Sequence, residues 1–245
     1  MQNDRIDIHA HILPGVDDGA RTMEEAVELA VMAAEQGIQT VIATPHYSRQ
    51  GRQNDYGIIA EETEREIKKK IPEFTLFLGQ ELYYHEELED RLLSGQALSL
   101  AGTEYILVEF DVNISYTQLK RAVRSLSGSG YIPILAHVER YACLRKEGLL
   151  EEIHRLGALF QMNYESLDGR WYDREVRWCR KQIKDRYIDF LSTDMHRTDY
   201  RAPAIKGALS WLESHIDEGY AAELVRKNAM KILRAVKEKI DEGKG

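Results

Sequence analysis

The chain has 245 residues, 43% hydrophobic and 30% charged, which fits a soluble globular protein long enough to bury one sizeable core. A formal net charge of −8 disfavours bulk binding to nucleic acid or to an anionic membrane. No apolar run approaches a membrane span, two cysteines make no disulfide framework, and the polar N-terminus predicts no signal peptide, so a cytoplasmic protein is expected.

The first predicted strand carries Ile6-Asp7-Ile8-His9-Ala10-His11. Side chains at i and i+2 share a strand face, so His9 and His11 point the same way, about 6–7 Å apart. Two imidazoles at that spacing can chelate one ion, although the stretch alone also reads as a buried strand with two incidental histidines. A loop follows, rich in Pro and Gly, and holds Asp17 and Asp18.

Residues 22–36 read as a helix, with Thr22 and Glu25 at capping-box spacing and Gly37 placed to end it. Gln39–Thr44 is a buried strand stopped by Pro45, with His46 just beyond. A charged helix over 55–70 is closed by Ile71-Pro72. A strand from Phe74 to Leu78 then runs through Gly79-Gln80 into Glu81. After a short helix near 85–94, Tyr105–Val108 form a strand ending on Glu109. A helix over 115–127 leads to a strand, Tyr131–Ala136, which ends on His137. A helix near 146–156 precedes the strand Ala158–Met162, ending near Asn163. A helix over 172–184 precedes the last strand, Ile188–Thr193, which ends on Asp194 with His196 two further on. Two helices, near 203–217 and 220–240, close the chain, and residues 241–245 are expected to fray.

Seven nearly continuous apolar strands alternating with amphipathic helices imply a parallel sheet with a covered outer face, within one domain spanning residues 1–245. The length suits an α/β barrel of TIM type, one strand short of eight. A doubly wound open sheet is the alternative. It is disfavoured because polar residues recur at successive strand ends and not at one switch point.

A barrel gathers its strand ends into one mouth. Here that mouth would hold His9, His11, His46, Glu81, Glu109, His137, Asp194 and His196, with Asp18 from the first loop. Each residue alone has a bland reading as a cap, a turn or a satisfied buried group. A metal-ligand type after six of seven strands is not a pattern chance readily supplies. Nine N/O donors without cysteine suit Zn, Mn or Fe, and nine is too many for one ion and about right for three. Three divalent ions against four carboxylates and a bridging hydroxide leave the pocket cationic by about one charge, suited to phosphate. The expected chemistry is hydrolysis, in which metal-bound hydroxide attacks phosphorus. Arg140 and Arg201 are placed to grip phosphate oxygens, with a surface salt bridge as the competing reading for each.

Other signals are weaker. Neither Cys143 nor Cys179 has the arginine six positions on that a cysteine phosphatase needs, since 149 is Leu and 185 is Asp. His85, His154 and His215 read as surface helix residues, and Trp171, Tyr172 and Trp178 as packing. Tyr47, Tyr83 and Tyr84 suit either the mouth or the core. No phosphate-cradling Gly-x-x-x-x-Gly-Lys loop or Gly-x-Ser-x-Gly elbow occurs.

Taken together, His9-Ala10-His11, Asp17-Asp18-Gly19, Ala43-Thr44-Pro45-His46, Gly79-Gln80-Glu81, Val108-Glu109-Phe110, Ala136-His137-Val138-Glu139-Arg140 and Ser192-Thr193-Asp194-Met195-His196 resemble the polymerase-and-histidinol-phosphatase (PHP) superfamily. With the Leu-Pro-Gly-Val-Asp-Asp-Gly segment, the chain is similar over residues 5–240 to the bacterial manganese-dependent tyrosine-protein phosphatases of capsule and exopolysaccharide clusters.

That resemblance implies a distorted (β/α)7 TIM-like barrel with a trinuclear site. It implies that His9, His11, Glu81 and Asp194 hold one ion, that Glu81, Glu109 and His137 hold a second, and that Asp18, His46 and His196 hold a third. Arg140, Arg201 and Asp194 would be catalytic, the ions most naturally Mn2+, and the substrate phosphotyrosine in the C-terminal segment of a bacterial tyrosine kinase. Competing functions are a small-molecule phosphatase such as histidinol-phosphatase, a phosphodiesterase or exonuclease, and a non-catalytic metal module. The missing basic stripe counts against the nuclease, and the full ligand set against the module. Oligomeric state is not legible from pattern.

Overall fold

The structure, a computed structural model, describes residues 4–47 and 56–242. Strands and helices alternate along the chain. The first units are β1 (Arg5–Ala10), α1 (Met23–Ala34), β2 (Ile38–Ala43), α2 (Tyr56–Lys68), β3 (Thr75–Leu78), β4 (Glu81–Tyr83) and α3 (Leu88–Leu93). There follow β5 (Tyr105–Glu109), α4 (Tyr116–Gly128), β6 (Ile132–Leu135), α5 (Leu149–His154), β7 (Leu159–Asn163), α6 (Arg174–Lys184) and β8 (Phe190–Ser192). The helices α7 (Lys206–His215), α8 (Glu218–Ala222) and α9 (Asn228–Glu242) close the chain, with a π-helical turn, Glu223–Lys227, between the last two.

All strand pairs are parallel, in a three-stranded sheet ordered β1-β2-β3 and a five-stranded sheet ordered β4-β5-β6-β7-β8. Backbone hydrogen bonds join the two sheets at both ends. Tyr47 N donates to Glu81 O (2.9 Å) and Glu81 N to Pro45 O (3.2 Å), while His11 N donates to Met195 O (2.8 Å) and Asp194 N to His9 O (3.0 Å).

The expectation of seven strands is corrected to eight. The third predicted strand is two, broken at Gly79-Gln80. A Cβ on Gly79 would lie 2.9 Å from Leu100 Cδ2, so only glycine lets the loop around Leu100 seat there. The buried Gln80 accepts from Leu98 N (2.9 Å). The chain thereby leaves its pairing with β2 and begins pairing with β5, and that switch sets Glu81 at the start of β4.

Helix ends follow local chemistry. Ser115 and Gln118 form a complete capping box on α4. Thr22 caps α1 by accepting from Glu25 N, but the box there is half made. The Glu25 carboxylate is drawn one residue further back, accepting from Arg21 N (2.9 Å) and from the Arg21 guanidinium. Gly37 ends α1 at φ +84°, a conformation that costs a residue with a Cβ.

Several predicted helices are shorter than expected. The last predicted helix is divided by the π turn, and the segment around His85 is loop, not helix. The fraying expected at the C-terminus falls mainly on residues 243–245, outside the described residues. Trp171 and Tyr172 correct the packing expectation, being 76% and 52% exposed, whereas Trp178 is partly buried beneath the Arg145 guanidinium. Among the described residues, no helix is long and apolar enough to cross a membrane.

Helices bury the outer faces of the strands in a large core that includes Val41, Ile106, Val108, Phe160 and Met162. A smaller cluster draws Ile6, Ile8, Ile42, Leu107, Ile134 and Phe190 from the strands and Ala229 and Ile232 from α9. On β5, Leu107 of that cluster shares a face with Glu109. On β7, Leu159 packs on the cluster and shares a face with Gln161 and Asn163. One strand face is thus apolar at its N-terminal half and polar at its C-terminal end, which sets the site on an apolar floor.

Candidate metal centre

The nine predicted donors meet at one mouth, most of them at or just past the C-terminal ends of strands, Asp18 in the first loop and Glu81 where β3 passes into β4. His9 Nε2 lies 3.2 Å from His11 Nε2, 3.3 Å from Glu81 Oε2 and 3.4 Å from Asp194 Oδ1. His11 Nε2 lies 3.3 Å and 3.5 Å from the same two oxygens. Ligands of a tetrahedral first-row ion with bonds of about 2.1 Å stand about 3.4 Å apart, so these four atoms have the spacing of one coordination shell. His137 Nε2 lies 2.9 Å from Glu81 Oε1 and 3.4 Å from Glu109 Oε1. Asp18 Oδ1 lies 3.5 Å from His46 Nε2 and 3.6 Å from His196 Nε2, while His46 Nδ1 faces Glu81 Oε2 at 3.1 Å.

Among the described residues, three groups have donor atoms close enough to hold an ion: His9, His11 and Asp194; His11, Asp18, His46 and His196; and His46, Glu81 and Glu109. His11 and His46 therefore each serve two groups, more sharing than the spacing alone suggested.

The donor set asks for cations. His9 and His11 are fully buried, which opposes an imidazolium, yet the Glu81 and Asp194 carboxylates push His9 up to about 9, and Asp17 and Glu81 push His11 up to about 10. Glu81 is held well below the usual carboxylate range, against its own burial, by the surrounding histidines. Protons occupy the place of positive charge that divalent ions fill, and ion binding releases them. His196 is pushed down to about 4 by burial and by His11, so it offers a lone pair at neutral pH. Glu109 is pushed up by burial and by Glu81, so a nearby cation would favour its carboxylate form.

Backbone strain gathers at the same place. His137 (φ 34°), Asp194 (φ 53°) and Arg201 (φ 54°) adopt left-handed conformations unusual for residues with a Cβ. Arg140 and Arg201 are both part of the site and about 30% exposed. Arg140 Nη2 donates to Asp194 Oδ2 at 2.8 Å, and Arg201 Nη1 lies 3.6 Å from that oxygen. Asp194 thus divides its labour, with Oδ1 toward the histidines and Oδ2 toward the arginines. The Tyr200 ring stands edge-on to His196, with the Arg197 and Arg201 guanidinium groups each 5.2 Å from its centroid, which restrains Arg201.

The remaining candidates lie elsewhere. His154 pairs with Asp189, and His215 Nδ1 contacts Trp211 O. His85, half-buried, stacks on Tyr47. Tyr83 is exposed and Tyr84 packs against Phe110. Burial pushes the Cys179 thiol up to about 12, consistent with no cysteine nucleophile.

Sequence reasoning missed several supporting groups. Asp17 Oδ2 pairs with His11 Nδ1 (2.8 Å) and accepts from His46 N (3.0 Å), so it orients one ligand from behind and seats the next. Asp7, fully buried, accepts from His9 N and from Thr193 N and Oγ1, tying β1 to the end of β8. Gln161 and Asn163 lie beneath His9, His137 and Asp194. The only signal for this last pair was two amides at alternate positions of an otherwise apolar strand.

Residues 5–234 match the family described as "Capsular polysaccharide synthesis, CpsB/CapC". A relative named tyrosine-protein phosphatase YwqE, of Bacillus subtilis, is 34% identical over 237 residues, covering 94% of this chain and 91% of its own. A solved structure from work on YwqE of B. subtilis and CpsB of Streptococcus pneumoniae, described as unique metal-dependent tyrosine phosphatases, superposes with a TM-score of 0.81 at 32% identity. It covers 89% of this chain and 90% of its own. An organophosphorus hydrolase from Deinococcus radiodurans, at a TM-score of 0.58 and 14% identity over 91% of both chains, shares the fold alone.

Proposed function

The chain belongs to the CpsB/CapC family of capsular polysaccharide synthesis, and on that premise we propose that it is a metal-dependent protein-tyrosine phosphatase acting on phosphotyrosine in the C-terminal segment of a bacterial tyrosine kinase. One observation carries the reading: nine His, Asp and Glu donors share a pocket with two arginines that converge on Asp194 Oδ2. We read the eight strands as seven barrel staves, the third broken at Gly79-Gln80. Three ions are shared as His9, His11, Glu81 and Asp194; Glu81, Glu109 and His137; and Asp18, His46 and His196. Mn2+ suits this N/O set, and Zn2+ and Fe are compatible with it.

When bound, the ions supply Lewis acidity and lower the pKa of attacking water. Glu81 would serve as a ligand to both of the first two, since one carboxylate oxygen lies toward His9 and His11 and the other toward His137. Arg140 and Arg201, partly exposed at the mouth, take the non-bridging phosphate oxygens and neutralise charge developing there. Asp194 Oδ2 holds both guanidinium groups in place, and Oδ1, on the side of His9, would be the oxygen that binds the first ion. A kinase tail that is phosphorylated in the cytoplasm would be met there, so this reading goes with a cytoplasmic enzyme.

A substrate panel tests the reading. The Mn2+-loaded protein is expected to hydrolyse a phosphotyrosyl peptide with kcat/KM at least about 10-fold above histidinol phosphate, roughly 1.4 kcal/mol of extra transition-state stabilisation. The reverse order would assign it to the small-molecule phosphatases.

A further inference from the structure

Of the strands that reach the centre, β7 is the exception: its end, Asn163, adds no His, Asp or Glu donor. It offers instead Gln161 and Asn163, on one strand face and essentially fully buried. We propose that this amide pair is a positioning relay, which fixes the tautomer of His9 and the carboxylate orientation of Asp194 so that both face the same ion. The proposal rests on the metal-centre reading above.

The sense of the relay follows from one backbone hydrogen. His137 N can only donate, and it donates to Gln161 Oε1 at 2.7 Å. That fixes which end of the Gln161 amide is oxygen. His9 Nδ1 lies 3.1 Å from the same oxygen, so Nδ1 carries a hydrogen and Nε2 keeps its lone pair for an ion. The Gln161 amide nitrogen then donates to Asn163 Oδ1 at 2.8 Å, which fixes the second amide. Asn163 Nδ2 donates in turn to Asp194 Oδ2 at 2.9 Å. With Oδ2 occupied by Asn163 and Arg140, Oδ1 is left toward His9 Nε2, 3.4 Å away.

The two ligands of one ion are thus joined behind it by two amides and three hydrogen bonds pointing in a single sense. Ligands from β1 and from the segment after β8 are locked to one strand between them. Neither amide is itself a ligand, because both carbonyl oxygens are already engaged. The same Gln161 oxygen holds the backbone of the strained His137, so the relay reaches the neighbouring ion's ligand as well.

The test uses the purified full chain, stripped with chelator, and reads Mn2+ affinity by competition with a coloured chelator. The 15N shifts of the His9 ring, recorded on the protein reloaded with diamagnetic Zn2+, give its tautomer. Gln161→Leu is expected to weaken binding of at least one ion by about 10–100-fold and to abolish the single Nδ1–H tautomer. Gln161→Glu keeps an acceptor for both His9 and His137 N but loses the donor to Asn163 Oδ1, so it is expected to restore the tautomer and not the affinity. Asn163→Leu leaves His9 tied and cuts only the link to Asp194. It is expected to keep the tautomer and lose at least about 10-fold in affinity, and it decides the matter if Gln161→Leu does not fold. Wild-type affinity in both leucine variants would overturn the relay, as would loss of the single His9 tautomer in Gln161→Glu. A wild-type chain that binds no Mn2+ would instead overturn the metal-centre reading itself.

Discussion

Replacing Glu81 with alanine is expected to lower kcat by about 1,000-fold or more while leaving the fold intact. Glu81 is the anion on which the site converges. Its two oxygens face His9 and His11 at 3.3 Å, His46 at 3.1 Å and His137 at 2.9 Å, and it is 1% exposed. Removing one preorganised electrostatic group from an active site costs about 100–1,000-fold. Losing the carboxylate that bridges two ions costs more, because both ions lose a ligand together. The strand survives, since β4 is held by its pairing with β5 and by backbone bonds to the segment after β2. Metal analysis, far-UV circular dichroism and phosphate release on the same sample check this. A folded Glu81→Ala protein with more than a tenth of wild-type activity would remove Glu81 from the centre.

Gly19→Ala is expected to act through space and not through conformation. Gly19 does not have a positive φ, but a Cβ there would lie 2.0 Å from His11 O and 2.6 Å from His11 Cβ. Backbone cannot yield by that much, so the loop must lift from β1. Lifting breaks the bond from Ala20 N to His11 O (3.0 Å) and withdraws Asp17 from His11 and His46. Asp18, the next residue after Asp17, moves with it. Overpacking of this kind costs about 2–3 kcal/mol, which for a chain of this size is a fall in Tm of roughly 5–10 °C. Activity is expected to drop by about 100-fold as the Asp18-His46-His196 group opens. Unchanged Tm and activity would show that the loop accommodates a methyl group and does not pack as the structure has it.

Much of the site is legible because two periodicities are enough to place it. The period of two in β1 sets His9 and His11 on one face, and the strand–helix alternation brings every strand end to the same mouth. Local spacing could not say that the third stave breaks at Gly79, because the cause is Leu100, about twenty residues on. Nor could it separate the adjacent carboxylates Asp17 and Asp18. Their chemistry is identical, and only the loop's path sends one to His11 from behind and the other toward His46 and His196. The half-made box at Thr22 has the same origin, since Arg21 competes for Glu25 with a charge that spacing rules ignore. Trp171 and Tyr172 were misjudged because aromatic residues are usually buried, while a loop after a strand end can hold them in solvent.

Stepwise addition of Mn2+ to the chelator-stripped protein, with phosphate release from a phosphotyrosyl peptide read at each step, tests the central claim most directly. Activity is expected to be absent without ions, to rise with added Mn2+, and to level off at three ions per chain. Full hydrolysis by the stripped protein, or a plateau at a single ion, would contradict a three-ion phosphatase centre.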